Sequence, residues 1–310
     1  MLFILTNSQD ATASFLTAAL NKSEVPFVRL DTDQLVPRIA ISYRPRTPAI
    51  KVDNIWYEAE QIGTIWYRRP ERLKDERFAN SAEGKCILGE WTEFIEGFFA
   101  HVPKSKWINY PSNNALASHK LEQLTTASTL GFEVPDTLGT QDRDSFREFF
   151  TKNQGQVVTK PIASGYLERS GSERDSLIYT NQVHAQHLED LDDLSTCPTF
   201  FQQFIRKQFD VRITVVDGDI HAVALFAKDK NGQQRCDIRR NNMADVAYEK
   251  IELPTAVRAA IEKLMNHYGL RFAAIDMAVA VTGEWFFFEI NPNQCQPIAP
   301  AAAIFGSGFA

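Results

Sequence analysis

The stretch that most constrains this chain is residues 272–293, where two carboxylates are set against each other inside apolar strands. The run Phe272-Ala-Ala-Ile-Asp276-Met-Ala-Val-Ala-Val281 is followed by Thr282-Gly283, then by Glu284-Trp-Phe-Phe-Phe-Glu289-Ile-Asn291-Pro-Asn293. Two such runs around a short Gly-containing break read as a β-hairpin. With Thr282-Gly283 as a two-residue turn, Asp276 stands directly opposite Glu289, and Asn291 shares the face of Glu289. Like charges opposed in a sheet are destabilising, more so among apolar neighbours, and a cation between them removes the conflict. Magnesium meets that need: it prefers oxygen ligands and takes one or two carboxylates while phosphates and waters complete its shell. The alternative is two surface carboxylates at strand ends, and a longer turn would shift the pairing.

A second hairpin carries a stronger turn signal. Val211-Arg212-Ile-Thr-Val-Val216 and Ile220-His-Ala-Val-Ala-Leu225 flank Asp217-Gly218-Asp219, and an Asp-Gly loop sets Arg212 opposite Val223. Arg212 then shares a face with Thr214 and Val216; it is either a solvated charge on an edge strand or a cation held rigidly toward a site. A nucleotide with its metal is anionic, so basic residues are needed beyond the carboxylate hairpin. Lys160 ends the apolar strand Val157-Val158-Thr159 and precedes Pro161 and a loop containing Ser164, Gly165, Ser170, Gly171 and Ser172. Lys120 is a second candidate, in a helix after Asn113-Asn114. Neither a GxxxxGK[ST] loop nor a strand-borne GxGxxG occurs.

The remaining sequence bounds the class. A chain of 310 residues, 44% apolar and 23% charged, has a globular make-up and length for two or three units. A net charge of -6 offers no broad cationic surface for nucleic acid. Met1-Leu-Phe-Ile-Leu5 is too short for a secretory signal and reads as a buried strand, and no run nears the roughly 20 apolar residues of a membrane span. Cys86, Cys197, Cys236 and Cys295 are dispersed without a CxxC pair, which fits a reduced, cytoplasmic protein without a zinc site. Strands at Leu2–Thr6, 26–31 and Thr64–Tyr67 around a helix over Ala11–Lys22 predict a small α/β unit, with a further helix over 84–102. An exit strand and turn at Trp107–Asn113 closes it. Beyond lie a predicted helix over Ala115–Leu130, stopped by Gly131, a helix over 142–153, and strands near 156–161, 176–180 and 199–205.

These residues together resemble the ATP-grasp superfamily, and within it the microviridin-type graspetide synthetases, which mature ribosomal peptides. The resemblance rests on Ile65-Trp-Tyr-Arg68-Arg69-Pro70, Trp107-Ile-Asn-Tyr-Pro-Ser-Asn-Asn114 leading to Lys120, Leu130-Gly-Phe-Glu-Val-Pro135, Val158-Thr-Lys160-Pro161, Phe201-Gln-Gln-Phe-Ile205, Asp210-Val-Arg212, and Asp276 with Glu289-Ile-Asn291-Pro-Asn293. It implies an α/β and α+β architecture: an α/β domain over 1–112, then an ATP-grasp fold with its central lobe over 113–205 and its C-terminal lobe over 206–310. It implies ATP and Mg²⁺ as cofactors. Lys120 and Lys160 would contact phosphates, Gln203, Phe204 and Ile205 would form the adenine hinge, and Asp210 would join the nucleotide side. Asp276, Glu289 and Asn291 would bind Mg²⁺, with Arg212, Arg239 and Arg240 as catalytic cations. The chain departs from many relatives at Gln203, commonly Glu, and at Gln294-Cys295, commonly glycine at the first position. The implied reaction phosphorylates an Asp or Glu side chain of a precursor peptide, with leader and core, and closes an ester or amide macrocycle. The 166–180 segment is a place for that peptide to dock, and the resemblance also implies a homodimer. Two other readings stand beside it: a ligase acting on a small carboxylate or a protein C-terminus, and a non-catalytic nucleotide-binding module.

Overall fold

A computed structural model describes residues 1–78, 81–163, 165–167, 176–240 and 243–293. Ser164, Ser170, Gly171 and Ser172 of the loop after Lys160, most of the 166–175 stretch, and the tail with Gln294 and Cys295 lie outside the described residues.

The N-terminal part opens as β1 (Leu2–Thr6), α1 (Ala11–Lys22) and β2 (Phe27–Asp31), continues through β3 (Ile39–Ser42), β4 (Ala49–Val52), β5 (Ile55–Glu58) and β6 (Thr64–Tyr67), and ends with α2 (Ala82–Phe99) and β7 (Trp107–Ile108). Strands β2, β1, β6 and β7 form, in that order, a parallel sheet. The near-continuous apolar sequence of β1, buried from Phe3 to Thr6, is that of a strand covered on both faces; Phe3, Leu30, Ile65, Phe99 and Trp107 are buried together. Helix α1 starts where the Asp10 carboxylate accepts the Thr12 and Ala13 amides, satisfying two donors the first turn leaves free. The antiparallel meander β3-β4-β5 was not expected from the sequence, because its four-residue strands are too short for a period of two to register.

The single helix expected over Ala115–Leu130 is two: α3 (Pro111–Ala117) and α4 (Lys120–Thr129). Pro111 fills the first position of α3, and the Ser118 hydroxyl donates back to the Asn114 carbonyl at 2.6 Å. His119 is extended, so α4 restarts with Lys120 as its first residue, which no sequence breaker announces. There follow β8 (Thr137–Thr140), α5 (Arg143–Lys152), β9 (Val157–Thr159), the short pair β10 (Tyr166–Leu167) and β11 (Ser176–Leu177), β12 (Asn181–Val183) and β13 (Thr199–Gln203). An antiparallel sheet of order β12-β9-β13-β8 packs on α5, where Phe146 stacks on Phe201 with ring centres 4.1 Å apart.

Strands β14 (Lys207–Val216), β15 (Asp219–Phe226), β16 (Ala247–Ile251), β17 (Phe272–Ala280) and β18 (Trp285–Asn291), with α6 (Thr255–Tyr268), complete the described chain. They make an antiparallel sheet of order β16-β15-β14-β17-β18. One face of it buries Val211, Ile213, Ile275, Met277, Phe287 and Ile290 against α6 and against Ala117, Leu124 and Ala127 of α3 and α4. Among the described residues, no helix is long and apolar enough to cross a membrane.

The first hairpin has the predicted register, Arg212 opposite Val223 and Val216 opposite Asp219. The second reaches its predicted pairing by a different route. The Ala280 amide bonds to Glu284, so its loop holds three residues, Val281, Thr282 and Gly283, with Gly283 at φ +99°. Val279 through Met277 accordingly pair one step out of the predicted register. A β-bulge then leaves Phe288 as an extra residue, and beyond it Asp276 pairs with Glu289 and Ala274 with Asn291. The two irregularities cancel at the carboxylates. Phe287, fully buried and 5.1 Å centre to centre from Phe132, anchors the segment just before the bulge. We expect Phe287→Ala to lower unfolding free energy by ~3–5 kcal/mol in denaturant titrations.

Candidate active site

Four charges cross the C-terminal sheet in one row. Arg212 on β14 pairs with Asp276 on β17, which pairs with Glu289 on the edge strand β18. The Arg212 Nε lies 2.9 Å from Asp276 Oδ1, and Lys120 Nζ lies 3.0 Å from Glu289 Oε2. Two like charges are thus bracketed by two cations, the compensation that opposed carboxylates require in the absence of a metal. Asn291 closes the cluster, its Nδ2 donating to Glu289 Oε1 at 3.1 Å and, more weakly, to Asp276 Oδ2 at 3.4 Å.

The bracket does not treat the two acids alike. Burial pushes the Asp276 carboxyl up; Arg212 opposes the shift and the neighbouring Glu289 charge adds to it. Burial acts on Glu289 in the same direction, but Lys120 and Lys160 outweigh it and hold that carboxyl below its ordinary range. The pair therefore draws a hard cation able to lie between its oxygens, and two carboxylates with an amide oxygen form a donor set that magnesium accepts while keeping positions for phosphate and water. No group of three or more His, Cys, Asp or Glu suited to a metal occurs among the described residues, so this set is not a dedicated all-carboxylate cage.

Lys160 approaches from the other sheet. Its amide bonds to Phe200 at 3.4 Å, and its ammonium lies 5.4 Å from the Phe200 ring centre and 5.5 Å from that of Phe288. Phe288 is the bulge residue, and Lys207 lies 6.0 Å from the same ring. One irregularity in β18 therefore restores the carboxylate register and supplies a π-face beneath two cations. The lysine's pKa is lowered, first by burial and further by the Lys120 charge, against the pull of Glu289. Helix α4 aims its N-terminus at this group, adding a partial positive charge beside Lys120.

The other sequence candidates take different places. Both Asp210 oxygens are occupied, Oδ1 by Lys207 Nζ at 2.7 Å and Oδ2 by Gln234 Nε2 at 2.8 Å, so it orients Lys207. Arg239 forks onto Asp237 at 3.0 and 2.7 Å, and the Asp276 and Glu289 charges also favour its charged form. Asp237, which burial alone would push up, is drawn down to about 2, chiefly by Arg239. Its Oδ2 also accepts the Thr180 amide at 3.1 Å. Arg240 donates to Asn181, and both arginines lie near the Tyr179 ring. The 236–240 segment is thereby fastened to residues 179–181, at the β12 edge of the sheet that carries Lys160.

In the segment expected to serve as the hinge, the Gln203 amide bonds to Asp136 and the Phe204 amide to Gln156, whereas the Ile205 amide has no partner among the described residues. An open backbone donor between two sheets suits the edge of an adenine ring. A groove of about 700 Å³ touches Gln203 but is otherwise lined by residues such as Ser128, Glu133, Asp136 and Lys152. It includes none of the charge row, which lies outside that opening. Lys207, Phe288 and Asp237 were not singled out from the sequence; the bulge that gives Phe288 its position is invisible in three consecutive phenylalanines.

Residues 122–291 match the family model described as the prokaryotic glutathione synthetase ATP-grasp domain, and the chain belongs to that family. It is an ATP-grasp protein of the ligase class. Among solved structures it is similar to the RiPP-associated ATP-grasp ligase of Chryseobacterium gregarium in complex with ADP and a leader and core peptide, at 25% identity, TM-score 0.82, over 96% of this chain and 90% of that one. It is similar to macrocyclase MdnB from Microcystis aeruginosa MRC at 27% identity, TM-score 0.69, over 94% and 91%. The fold is shared with macrocyclase MdnC of the same organism, bound with precursor peptide MdnA, at 24% identity, TM-score 0.78, over 96% and 92%. None of the curated proteins compared with the chain matches it.

The lowered pKa of Lys160 carries a test. A larger neutral fraction at a given pH means that Lys160 is labelled by amine-directed reagents at lower pH than an ordinary lysine. Glu289→Gln removes a charge that opposes the shift, so labelling at Lys160 becomes faster still in that variant, as mass mapping across a pH series will record.

Proposed function

We propose that this chain is an ATP-dependent ligase that activates an Asp or Glu side-chain carboxylate of a ribosomal precursor peptide and closes an ester or amide macrocycle. The observation that carries the reading is the row Arg212, Asp276, Glu289 and Lys120, with Lys160 above it. A bracketed carboxylate pair facing two lysines suits a metal-bound triphosphate better than a neutral ligand. The choice of a peptide is supported by similar structures that align with most of this chain, one in complex with a leader and core peptide and another bound with a precursor peptide.

In this reading Asp276, Glu289 and Asn291 would hold Mg²⁺, which would supply charge neutralisation to the phosphates. Lys120 and Lys160 contact the same phosphates, Asp210 steadies Lys207 beside them, and Gln203, Phe204 and Ile205 hold the adenine. The substrate carboxylate oxygen attacks the γ-phosphorus, ADP leaves, and an acyl-phosphate forms. A hydroxyl or amine of the same peptide then attacks the acyl carbon; its proton is released and phosphate departs with the original carboxylate oxygen. The peptide loses one water per ring. Arg212, with Arg239 and Arg240, faces the charge that develops on phosphate and tetrahedral oxygens, so catalysis is positioning and electrostatics without a protein nucleophile. The organisation we propose is an α/β domain over 1–112, a central lobe over 113–205 and a C-terminal lobe over 206–310, acting in the cytoplasm as a homodimer.

The family model itself favours a second reading, a ligase joining an amine to a small carboxylate. Both are tested by ADP release with ATP and Mg²⁺, with and without short peptides encoded beside the gene. The first reading expects peptide-stimulated turnover and a peptide lighter by one water per ring. Turnover with free amino acids alone, or a product that gains mass, would favour the second, and silence throughout would sink both. We expect Glu289→Gln to abolish turnover and Arg212→Ala to lower kcat by ~10²–10³-fold.

A further inference from the structure

The two metal-site residues Glu289 and Asn291 sit on β18, the edge strand of its sheet, immediately after a bulge. That is an unfavourable place to fix geometry. An edge strand has one row of backbone groups without a strand partner, and the bulge interrupts the ladder on its other side. Past Phe288, three strand pairs among the described residues, Asp276 with Glu289, Ile275 with Ile290 and Ala274 with Asn291, connect the segment to β17. Without the bulge, the register of Met277 with Phe287 would continue and set Phe288 opposite Asp276. Glu289 would then turn to the opposite face, away from Asp276.

Three side chains from outside the sheet meet that free edge at Ile290 and the residues just past it, Pro292 and Asn293. Gln123 of α4 is 1% exposed, and its amide behaves as a strand neighbour: Oε1 accepts the Ile290 N–H at 3.1 Å while Nε2 donates to the Ile290 carbonyl at 2.9 Å. Asn109, just after β7 and equally buried, donates from Nδ2 to the Pro292 carbonyl at 2.7 Å and to the Phe272 carbonyl at 2.8 Å. Its Oδ1 accepts the Arg271 and Phe272 amides, both at 2.8 Å, so one side chain joins the start of β17 to the end of β18. Arg68, just after β6, is fully buried and donates from Nη1 to the Asn293 carbonyl. It is oriented by Asp10 at 3.3 Å and by Thr12 Oγ1 at 3.3 Å, both at the start of α1.

We propose that Gln123, Asn109 and Arg68 are positioning residues that select the bulged register of β18 and so assemble the metal site from outside the sheet that bears it. None of them touches the carboxylates. Each holds a backbone group at 290, 292 or 293, between or just beyond the ligating positions, so metal affinity becomes contingent on the N-terminal sheet and α4. The inference rests on the reading of Asp276, Glu289 and Asn291 as the Mg²⁺ set, but not on any particular substrate.

The test uses the full chain with Mn²⁺ as a paramagnetic probe, titrated by electron paramagnetic resonance in the presence of ADP. Gln123→Met keeps the side-chain length and removes both bonds to Ile290; Asn109→Asp keeps the acceptor for Arg271 and Phe272 and removes the donor to Pro292. In each we expect Mn²⁺ affinity to fall ~10–100-fold, ADP binding in EDTA to stay within about twofold, and activity to recover as Mg²⁺ is raised, a change in KM for the metal rather than in kcat. Unchanged Mn²⁺ affinity in either folded variant would overturn the proposal, as would equal loss of metal-free ADP binding, which marks general damage. Hydrogen exchange on the unaltered protein gives a check that needs no variant: the Ile290 amide should be protected without metal, and exchange at the rate of an open edge would also overturn it. Mn²⁺ binding needs no peptide, so failure of the peptide reading would leave these results intact. Absence of Mn²⁺ binding in the unaltered protein would instead remove the metal assignment itself.

Discussion

The opposition of Asp276 and Glu289 is the constraint around which the C-terminal half is organised. Two carboxylates on adjacent strands repel, and both are largely shielded from water, with side chains 26% and 23% exposed, so the sheet holds them together only through what surrounds them. Arg212 arrives from β14, Lys120 from the first position of α4, and Lys160 from the end of β9. The three cations come from three different elements and meet over one pair of acids. Binding of a metal triphosphate would exchange these intramolecular counter-charges for ligands of the same kind, leaving the lysines and the arginine directed at the incoming phosphates.

That arrangement explains two features with no obvious structural merit. The break between α3 and α4 costs helical hydrogen bonds, yet it brings a helix N-terminus and Lys120 to the carboxylates, where a continuous helix would bury both in its middle. The bulge at Phe288 weakens an edge strand, yet it restores the face on which Glu289 and Asn291 lie and leaves a ring within 6.0 Å of both Lys160 and Lys207. Each departure from regular structure sits next to a site residue, where irregularity is most often retained.

What could be read from the sequence was what depends on short range. The Asp217-Gly218 turn set its hairpin's register because a two-residue loop leaves no freedom. Charged residues inside apolar strands marked the carboxylate pair as a candidate site because burial of an unpaired charge is too costly to be incidental. The second hairpin was paired correctly at Asp276 and Glu289 only because the residue its longer turn takes from the β17 side, Val281, is offset by the one its bulge adds on β18, Phe288, an equality that local propensity does not encode. The meander at residues 39–58 and the break at Ser118 and His119 escaped for a related reason: the first has strands below the length at which periodicity registers, and the second depends on a hydroxyl competing for a carbonyl.

Gln123, Asn109 and Arg68 show where such reading stops. A glutamine in a helix, an asparagine before a tyrosine and an arginine after a strand are ordinarily solvated, and nothing adjacent to them in sequence says otherwise. Their role follows from partners 167, 183 and 225 residues away, so it exists only once the N-terminal sheet and the C-terminal strand have been brought together. A buried amide or guanidinium left without its acceptor costs about 1–3 kcal/mol or more, and the acceptors are the carbonyls of Ile290, Pro292 and Asn293, beside and beyond Glu289 and Asn291. The same bonds that satisfy these buried groups therefore fix the strand end, which couples the folding of the N-terminal part to the shape of the site rather than merely to its stability.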